Sequence, residues 1–508
     1  MTQPPAGSLW IETTPETDYG PLSGGVEVDV VVAGGGIAGI TTAYLLKQAG
    51  KRVALVEAKR ILHGATGYTT AKVTAGHSLT YAGLEQSFGA EGARLYAEAQ
   101  TRGLELVREL VAAEAIECEL ETKANYVYAE DAEEAERVHD EAEAAARAGL
   151  PASFVDRVDL PFATSGAFRL EDQAQFHPRR YLLPLAERVS GDGSHVFEET
   201  RVLGVEEERP LRIRTDHGEL RAEHLVLATH LPILDRGLFF AKTHPARSYA
   251  LAARVAEERL PDGMFINVGS PTRSLRTALD DAGPLLIVGG EGHRPGDHSD
   301  TGRHFDALEQ FGRRWFGVED VLYRWATQDY ASVDGVPYVG RVGMGMRNVW
   351  VATGFKKWGM TNGTVAAEIL ADAILTRPNR FSRLFDAQRL SARASLPKLL
   401  TENLTVARHF VVDRLRRGER AGLDEIAPGE GRLVNLGGRK TAVHRDETGM
   451  LHALSPVCTH LGCHVDWNEA ERTWDCPCHG SRYAGTGRVI QGPAVRDLEP
   501  RELPPPSA

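Results

Sequence analysis

Two short segments near the C-terminus each combine cysteine with histidine at a fixed spacing. Cys458 stands two residues before His460, and Cys476 stands three residues before His479. These four side chains can serve one centre only if the two segments fold into loops that face each other. Two thiolates and two imidazoles suit a [2Fe-2S] cluster, with the cysteines on one iron and the histidines on the other, or a tetrahedral zinc ion.

The residues around these donors favour the cluster over zinc. Each segment carries a second cysteine, Cys463 in the first and Cys478 in the second, and the second segment continues as Gly-Ser481-Arg-Tyr483. A zinc site explains neither feature. A cluster, in contrast, uses nearby hydroxyl groups to hydrogen-bond its sulfurs, which raises its reduction potential.

Residues 426–508 resemble Rieske [2Fe-2S] domains, which are all-β. The resemblance implies that Cys463 and Cys478 form a disulfide, and that Ser481 and Tyr483 donate hydrogen bonds to the cluster, as in the high-potential members. Rieske oxygenases have a mononuclear iron domain after the Rieske domain. The sequence argues against that class, because few residues and no histidine follow the second segment.

A glycine-rich segment near the N-terminus predicts a dinucleotide site. The β-branched run from Val26 to Ala33 reads as a buried parallel strand, and Gly34-Gly-Gly36-Ile-Ala-Gly39 leads from it into an apolar helix. Gly34 is expected to form the tight turn, Gly36 to admit a pyrophosphate and Gly39 to let the helix pack on the strand. Glu57 ends the next strand, where a carboxylate accepts from ribose hydroxyls.

Three later segments narrow the dinucleotide to FAD. Residues 64–70 (Gly-Ala-Thr-Gly-Tyr-Thr-Thr), 334–340 and 348–361 follow in an order that resembles the FAD-dependent glycine/D-amino-acid oxidase family over residues 26–380. The resemblance implies contacts to FAD from Gly34, Gly36, Gly39, Glu57, Thr66, Gly67, Thr69, Gly354, Gly359, Met360 and Thr361. Some relatives attach flavin covalently to a His after the Thr-Gly pair. Here Thr70-Ala71-Lys72 stands in that place, so we expect non-covalent FAD.

The predicted fold class is α/β, with a Rossmann-like FAD-binding domain, an inserted mixed-sheet substrate domain and a C-terminal all-β Rieske domain. An N-terminal lead covers residues 1–25, and the oxidoreductase part covers residues 26–380. The FAD-binding segments are expected at about 26–90, 155–240 and 330–380, with substrate-domain segments at about 91–154 and 241–329. A helical linker over residues 381–425, read as two helices, joins the Rieske domain at residues 426–508.

Four basic residues are candidates for binding the substrate or stabilising the reduced flavin. Arg276 and Arg247 lie in predicted strands of the substrate sheet, and a guanidinium binds a substrate carboxylate through two hydrogen bonds. Lys356 and Lys357 lie inside the last flavin segment. A cation there would stabilise the anionic reduced flavin and tune its potential or its reaction with oxygen. For each of the four, a structural ion pair or a surface charge is the alternative.

The overall composition limits the partners and the compartment. A net charge of -12 argues against nucleic acid as a partner, and no apolar stretch is long enough to span a membrane. The N-terminus shows no signal-peptide pattern. From these observations we expect a cytoplasmic protein.

Together, the two ends of the chain indicate an oxidoreductase for an amine, an amino acid or a similar small metabolite. A flavin accepts two electrons at once, whereas a Rieske cluster exchanges one, so we expect electrons to pass from FAD through the cluster to an external acceptor such as a one-electron carrier protein. Two alternatives stay open: a flavin oxidase that reduces oxygen with a structural or regulatory cluster, and a Rieske domain that feeds electrons to FAD for a biosynthetic reduction or hydroxylation.

Overall fold

The first sheet is built on the apolar run near the N-terminus. The computed structural model describes residues 7–234, 236–295, 300–343, 345–389 and 422–503. The strands of this sheet are β1 Val26–Ala33, β2 Val53–Val56, β7 His195–Phe197, β8 Val202–Glu206, β9 Leu211–Thr215, β10 Gly218–Leu227, β16 Tyr338–Arg341 and β17 Val349–Thr353. They follow the order β16-β17-β10-β1-β2-β7, with β9 also paired to β10 and β8 paired to β9. The central pairs are parallel, and Val30, Val31 and Val32 are fully buried because both faces are covered.

Helices cover this sheet and part of the second one. They are α1 Leu9–Glu12, α2 Ile37–Gln48, α3 Tyr81–Ala113, α4 Ala132–Arg147, α5 Pro178–Val189, α6 Phe239–Lys242, α7 Gly302–Phe316, α8 Gly359–Ile374 and α9 Ser382–Phe385. Helix α2 packs against α5 and α8, and α8 also packs against α3. Within the described ranges, no helix has the length and apolar character that a bilayer span requires.

The second sheet is mixed and has nine strands. They are β3 Lys72–Val73, β4 Glu121–Tyr128, β5 Ala152–Val155, β6 Ala167–Gln175, β11 Thr243–Arg254, β12 Met264–Asn267, β13 Arg273–Asp280, β14 Gly283–His293 and β15 Asp320–Ser332. Their order is β15-β11-β14-β13-β12-β4-β6-β3, with β5 beside β6. Helix α7 packs on β11 and β14, on the outer face of this sheet. The predicted α/β class with a separate mixed sheet is confirmed.

The segment boundaries within the oxidoreductase part differ from the sequence-based division. Strands β3 and β6 pair with each other in the second sheet, although residues 26–90 and 155–240 were assigned to the FAD-binding part. Pairing between strands about one hundred residues apart leaves no local signal in the sequence. The N-terminal lead is also part of the core, because Trp10 is fully buried and its indole nitrogen donates to the Thr69 carbonyl oxygen (2.7 Å).

The C-terminal domain is all-β, as predicted. Its strands are β18 Gly431–Leu436, β19 Arg439–Arg445, β20 Leu451–Leu454, β21 Asp466–Asn468, β22 Thr473–Asp475, β23 Arg482–Ala484 and β24 Val489–Gln491. Strands β18 to β20 form one antiparallel sheet, and β21 to β24 form another. The predicted helical linker lies largely outside the described residues, which stop at residue 389 and resume at residue 422.

Candidate functional site

An elongated cavity of about 1620 Å³ runs between the two sheets and the C-terminal domain. One wall is the turn between β1 and α2, and a second is the face of the second sheet that carries Ser274 and Gly289. The C-terminal domain contributes a third wall, which includes Glu471 and Arg482. All three parts of the chain therefore border one continuous space.

The glycine turn opens the cavity where β1 ends. Gly34 has a left-handed φ of 113°, and Gly36 is the N-cap of α2. A Cβ on Gly36 would project beside the Thr66 hydroxyl (3.1 Å), at the lining of the cavity. The Thr66 hydroxyl itself accepts from the Ile37 amide (3.1 Å). The start of α2 thus offers bare backbone and a helix N-terminus to an anionic group such as a pyrophosphate.

Glu57 follows β2 and lies next to this turn. Its carboxylate accepts hydrogen bonds from the backbone amides of Gly35 (2.8 Å) and Lys59 (3.0 Å). Burial raises the pKa of Glu57, and those two amide bonds oppose the rise. The side chain lines the cavity, so a free lone pair can accept from a hydroxyl donor such as a ribose.

Four of the eleven residues expected to touch FAD lie behind the cavity wall. A Cβ on Gly39 would overlap the Gly34 carbonyl, and one on Gly67 would overlap the Leu62 carbonyl, so both glycines serve close packing. Gly354 has a left-handed φ of 81° and packs against β15. Thr361 is buried, and its hydroxyl donates to the Thr74 carbonyl (3.2 Å). The residues that do line the cavity are Gly34, Gly36, Glu57, Thr66, Thr69, Gly359 and Met360.

Lys356 and Lys357 form a turn at the cavity, just before α8. Both have left-handed φ values, of 52° and 68°. The Lys357 amide donates to the Asp329 carboxylate, which also contacts His230 Nε2 (2.8 Å). Burial lowers the pKa of the Lys357 amine, while Asp329 opposes that shift. Both lysines line the cavity, as a role beside the flavin requires.

Arg276 does not face a substrate, contrary to the sequence-based expectation. Its guanidinium donates to the carbonyl oxygens of Thr70 (3.1 Å), Ala71 (2.8 Å) and Phe176 (3.2 Å), and it lies over the Trp10 ring. It is 3% exposed and does not line the cavity. Arg276 therefore ties the segment just before β3 to the second sheet.

Arg247 is also engaged elsewhere. It is 1% exposed, and its guanidinium pairs with Glu471 and lies 3.8 Å from Asp475, both in the C-terminal domain. Arg482 pairs with the same two carboxylates. Removing one partner of such a buried charge cluster is strongly destabilising. Arg247 is thus an interdomain contact and does not serve as the substrate-binding arginine that the sequence suggested.

The Cys/His centre assembles from two facing loops of the C-terminal domain. Cys458 and Cys476 are buried free cysteines, and the ring centroids of His460 and His479 lie 5.1 Å apart. Cys463 and Cys478 form a disulfide with a Cα–Cα distance of 6.5 Å, which joins the two loops. Two thiols and two imidazoles converge here, so this donor set fits a [2Fe-2S] cluster.

Hydroxyl groups surround the sulfur side of the centre. The Tyr483 hydroxyl lies 3.2 Å from Cys458 Sγ, and it accepts from the Thr459 amide (3.1 Å). The hydrogen bond between Cys476 and Cys458 lowers the pKa of the Cys458 thiol, with further lowering by Tyr483 and Ser481, while the same bond and burial raise the pKa of the Cys476 thiol. On the histidine side, burial lowers the pKa of His479 to about 3. A thiolate and a neutral imidazole are the forms that bind iron.

Ser481→Ala and Tyr483→Phe are expected to lower the potential of the one-electron cluster by on the order of 65–130 mV each, since a hydrogen bond to a charged acceptor contributes about 1.5–3 kcal/mol. The bonds stabilise the more negative reduced cluster, so their loss disfavours reduction. Protein-film voltammetry measures the potential, and iron content should stay intact. Ser455→Ala, in the same domain, is the control. Unchanged potentials in both variants would contradict this role.

The histidine side of the centre faces the flavin-binding part. The Phe240 ring, on α6, lies edge-on to His460 (6.1 Å) and His479 (5.5 Å). His479 is only 4% exposed, and His460 is partly exposed. Of the two candidate histidine ligands, His479 is therefore enclosed, and His460 is the more accessible one. The other domain supplies the cover, and no local pattern predicts that.

One strand of the second sheet contacts the ligand loop directly. The Tyr330 hydroxyl donates to the His479 carbonyl oxygen (2.8 Å), and Gln328 Nε2 donates to the Gly480 carbonyl oxygen (2.8 Å). Both residues are buried and lie on β15. Sequence reasoning missed Tyr330 and Phe240 entirely, because their importance arises only from contact with a domain more than one hundred residues away.

The comparisons with known proteins cover both parts of the chain. The family model for FAD dependent oxidoreductases matches residues 29–373, and that for the Rieske [2Fe-2S] domain matches residues 420–502. The Rieske 2Fe-2S iron-sulfur protein YhfW of Bacillus subtilis (strain 168) is 36% identical over 498 residues, which are 98% of this chain and 97% of that protein.

Two further proteins each cover about three quarters of this chain. Gamma-glutamylputrescine oxidoreductase of Escherichia coli (strain K12) is 24% identical over 395 residues, which cover 75% of this chain and 89% of that protein. The crystal structure of glycine oxidase from Geobacillus kaustophilus superposes with a TM-score of 0.61 at 19% identity, over 72% of this chain and 99% of that one. At that identity the structural likeness concerns the fold.

Proposed function

We propose that this chain, which belongs to the FAD-dependent oxidoreductase family and carries a C-terminal Rieske domain, oxidises a small amine or amino acid. Its cofactors are FAD and a [2Fe-2S] cluster, and the electrons pass through the Rieske domain to a one-electron carrier. Bound FAD supplies two-electron chemistry at a carbon-nitrogen bond, and the cluster supplies one-electron exchange. The relatives named for glycine and for gamma-glutamylputrescine support a substrate that bears an amine.

The observation that carries the proposal is the position of β15 between the two sites. Asp329 accepts from the Lys357 amide, and the Tyr330 carbonyl accepts from the Lys356 amide (2.9 Å), so the strand holds the turn before α8. On the same strand, Gln328 and Tyr330 hydrogen-bond the ligand loop at His479 and Gly480. The residues that make these two sets of contacts are consecutive on the strand, at a rise of about 3.3 Å per residue.

The alternation of a β-strand explains how β15 serves both sides. Successive side chains point to opposite faces, so Gln328 and Tyr330 share one face while Asp329, between them, has the other. The first pair faces the Rieske domain, and Asp329 faces the lysine turn. The edge strand of the second sheet thus supports a short hydrogen-bonded connection between the two cofactor sites.

The cluster side also supports approach by an external carrier protein. Val457 and Leu461 flank Cys458 and His460 in the first loop, and they are 37% and 39% exposed. Exposed apolar side chains beside a partly exposed ligand suit the small, transient interfaces of electron-transfer partners. We place the exit for electrons at this edge, on the His460 side.

A panel of amines, imines and amino acids, added anaerobically one at a time, tests the proposed function. Absorbance is followed at flavin and at cluster wavelengths. The expected result is that one chemical class bleaches the flavin and that reduction of the cluster follows. A substrate that reduces the flavin fully while the cluster stays oxidised would contradict the proposal and favour a plain oxidase.

Tyr330→Phe combined with Gln328→Leu is expected to slow electron exchange between the two sites by on the order of tenfold, which corresponds to about 1.4 kcal/mol in the barrier. Both donors to the ligand loop are lost, so the loop is held less closely. Stopped-flow absorbance after anaerobic flavin reduction measures the rate. Tyr323→Phe, on the same strand but away from the Rieske contacts, is the control and should behave as wild type. Equal rates in all three proteins would remove β15 from the connection.

A further inference from the structure

Lys72 is a buried cation on the wall of the cavity. It lies on β3, is 6% exposed, and donates from Nζ to the Phe265 carbonyl oxygen (2.6 Å) and to Ser274 Oγ (2.6 Å). Among the described residues, no carboxylate lies within ion-pairing distance of this amine. An ammonium group has three donors, so one remains for an occupant of the cavity.

A buried ammonium without a counter-ion is costly. Burial lowers the pKa of Lys72 well below its usual range, and the positive charge of Arg276 adds to that shift. Such a group gains much from an anion that enters the same dry space, because the attraction is strong where water is excluded. The two neutral acceptors orient the amine but supply no full negative charge.

The face of the second sheet in front of Lys72 carries small side chains in its middle. Ser274, Gly289, Ala250 and Trp325 lie opposite one another in one row across β13, β14, β11 and β15. At about 4.8 Å per strand, the row spans roughly 14 Å. Glycine and alanine occupy its middle, and all four residues line the cavity. A trough therefore runs from the Lys72–Ser274 pair to Trp325.

Trp325 closes the far end of this trough with a second polar group. It is 3% exposed, and its indole nitrogen has no hydrogen-bond partner among the described residues. A buried indole N–H without an acceptor is costly, so an acceptor from an occupant would stabilise it. This observation is independent of Lys72 and points to the same space.

Three other cations at the cavity are already paired. Arg324 pairs with Glu309, Arg472 with Glu447, and Arg482 with Asp475. Both arginines that the sequence suggested for a carboxylate are bound elsewhere, as described above. Among the described residues on the face of the second sheet that lines the trough, Lys72 is the cation that has no acidic partner.

We propose that Lys72, held by Ser274, binds a carboxylate of the substrate, and that the Trp325 indole donates to an acceptor farther along the same molecule. The substrate class is then a small amino or imino acid, rather than an amine without an acidic group. This assignment rests on the proposed function for the identity of the cavity as the substrate site. It adds the chemical group that the substrate must carry.

The test uses carboxylates as probes and needs no turnover. Acetate, propionate and benzoate are titrated into the oxidised, FAD-loaded protein, and the matching amides are titrated in parallel. Binding beside the flavin is followed by the shift of its visible absorbance. At least one carboxylate is expected to give a saturable shift, and its amide is expected to bind at least about tenfold more weakly. Equal binding of acid and amide, or no binding of any carboxylate, would overturn the proposal.

Lys72→Met removes the charge but keeps the length and apolar stem of the side chain. It is expected to weaken carboxylate binding by about tenfold or more while FAD stays bound. Lys123→Met is the matched control, since Lys123 lies on β4 of the same sheet and pairs with Asp262 at the surface (2.7 Å). Unchanged carboxylate affinity in Lys72→Met would overturn the assignment.

Ser274→Ala keeps the proposal testable if Lys72→Met does not fold. It removes one of the two acceptors that orient the amine, so carboxylate affinity is expected to fall several-fold. If affinity is unchanged in Ser274→Ala, the proposal fails. These titrations are independent of the cluster: loss of carboxylate binding leaves the electron-transfer proposal standing, and a cluster that never accepts electrons leaves the carboxylate site standing.

Discussion

Gly36→Val is expected to abolish FAD retention. A valine side chain at the N-cap of α2 would fill the space in front of the helix N-terminus, since its Cβ alone would lie 3.1 Å from the Thr66 hydroxyl. The amides that would hold a pyrophosphate then lose access to it. Purified protein should show no flavin absorbance, while the cluster absorbance remains.

Gly83→Val is the control for this loss, because Gly83 lies on α3 and a Cβ there meets no atom within 4 Å. This variant should retain FAD. The same preparations test the mode of attachment: acid precipitation of the wild type is expected to release free FAD, since Thr70-Ala71-Lys72 offers no histidine or cysteine for a covalent bond. A yellow precipitate, or full FAD content in Gly36→Val, would contradict the assigned site.

Cys476→Ser is expected to remove the cluster and leave FAD in place. Cys476 is buried beside Cys458, and its sulfur lies within 4.8 Å of the two disulfide sulfurs, so it belongs to the assembled centre. Reduction of flavin by a substrate should stay close to the wild-type rate. Turnover with a one-electron carrier protein should fall to background, because electrons then lack their outlet.

Chemical analysis provides the measurement for this variant. Wild type is expected to hold two irons and two acid-labile sulfides per chain, with a rhombic EPR signal on reduction. Cys118→Ser, at the buried cysteine far from the centre in sequence, is the control and should keep both. Zinc without labile sulfide in the wild type, or a full cluster in Cys476→Ser, would show that the ligand set is wrong.

The sequence was sufficient to predict the parts that depend on local spacing. The Cys458/His460 and Cys476/His479 segments do meet, and the disulfide between Cys463 and Cys478 is present. Each segment holds its cysteines and its histidine within a few residues of one another, so the loop that the segment forms positions all of these side chains. The same holds for the glycine turn after β1, where strand, turn and helix are consecutive.

The sequence was insufficient wherever a residue depends on a distant partner. Arg247 and Arg276 have the charge and strand position of a carboxylate-binding arginine, but Arg247 pairs with Glu471, and Arg276 is held by carbonyl groups. The sequence indicated no role for Lys72 beyond its place in Thr70-Ala71-Lys72, a stretch without histidine. Its burial beside Ser274, about two hundred residues later, follows from strand pairing that no local pattern encodes.

The central claim is that the two cofactor sites exchange electrons within one chain, across the contact of β15 with the His479 loop. Anaerobic illumination with EDTA as the sacrificial donor reduces the flavin selectively, and absorbance and EPR then follow the cluster in the dark. The account predicts first-order reduction of the cluster, at a rate independent of protein concentration and lower in the Tyr330→Phe, Gln328→Leu double variant. A cluster that stays oxidised, or a rate that rises in proportion to protein concentration, would contradict it.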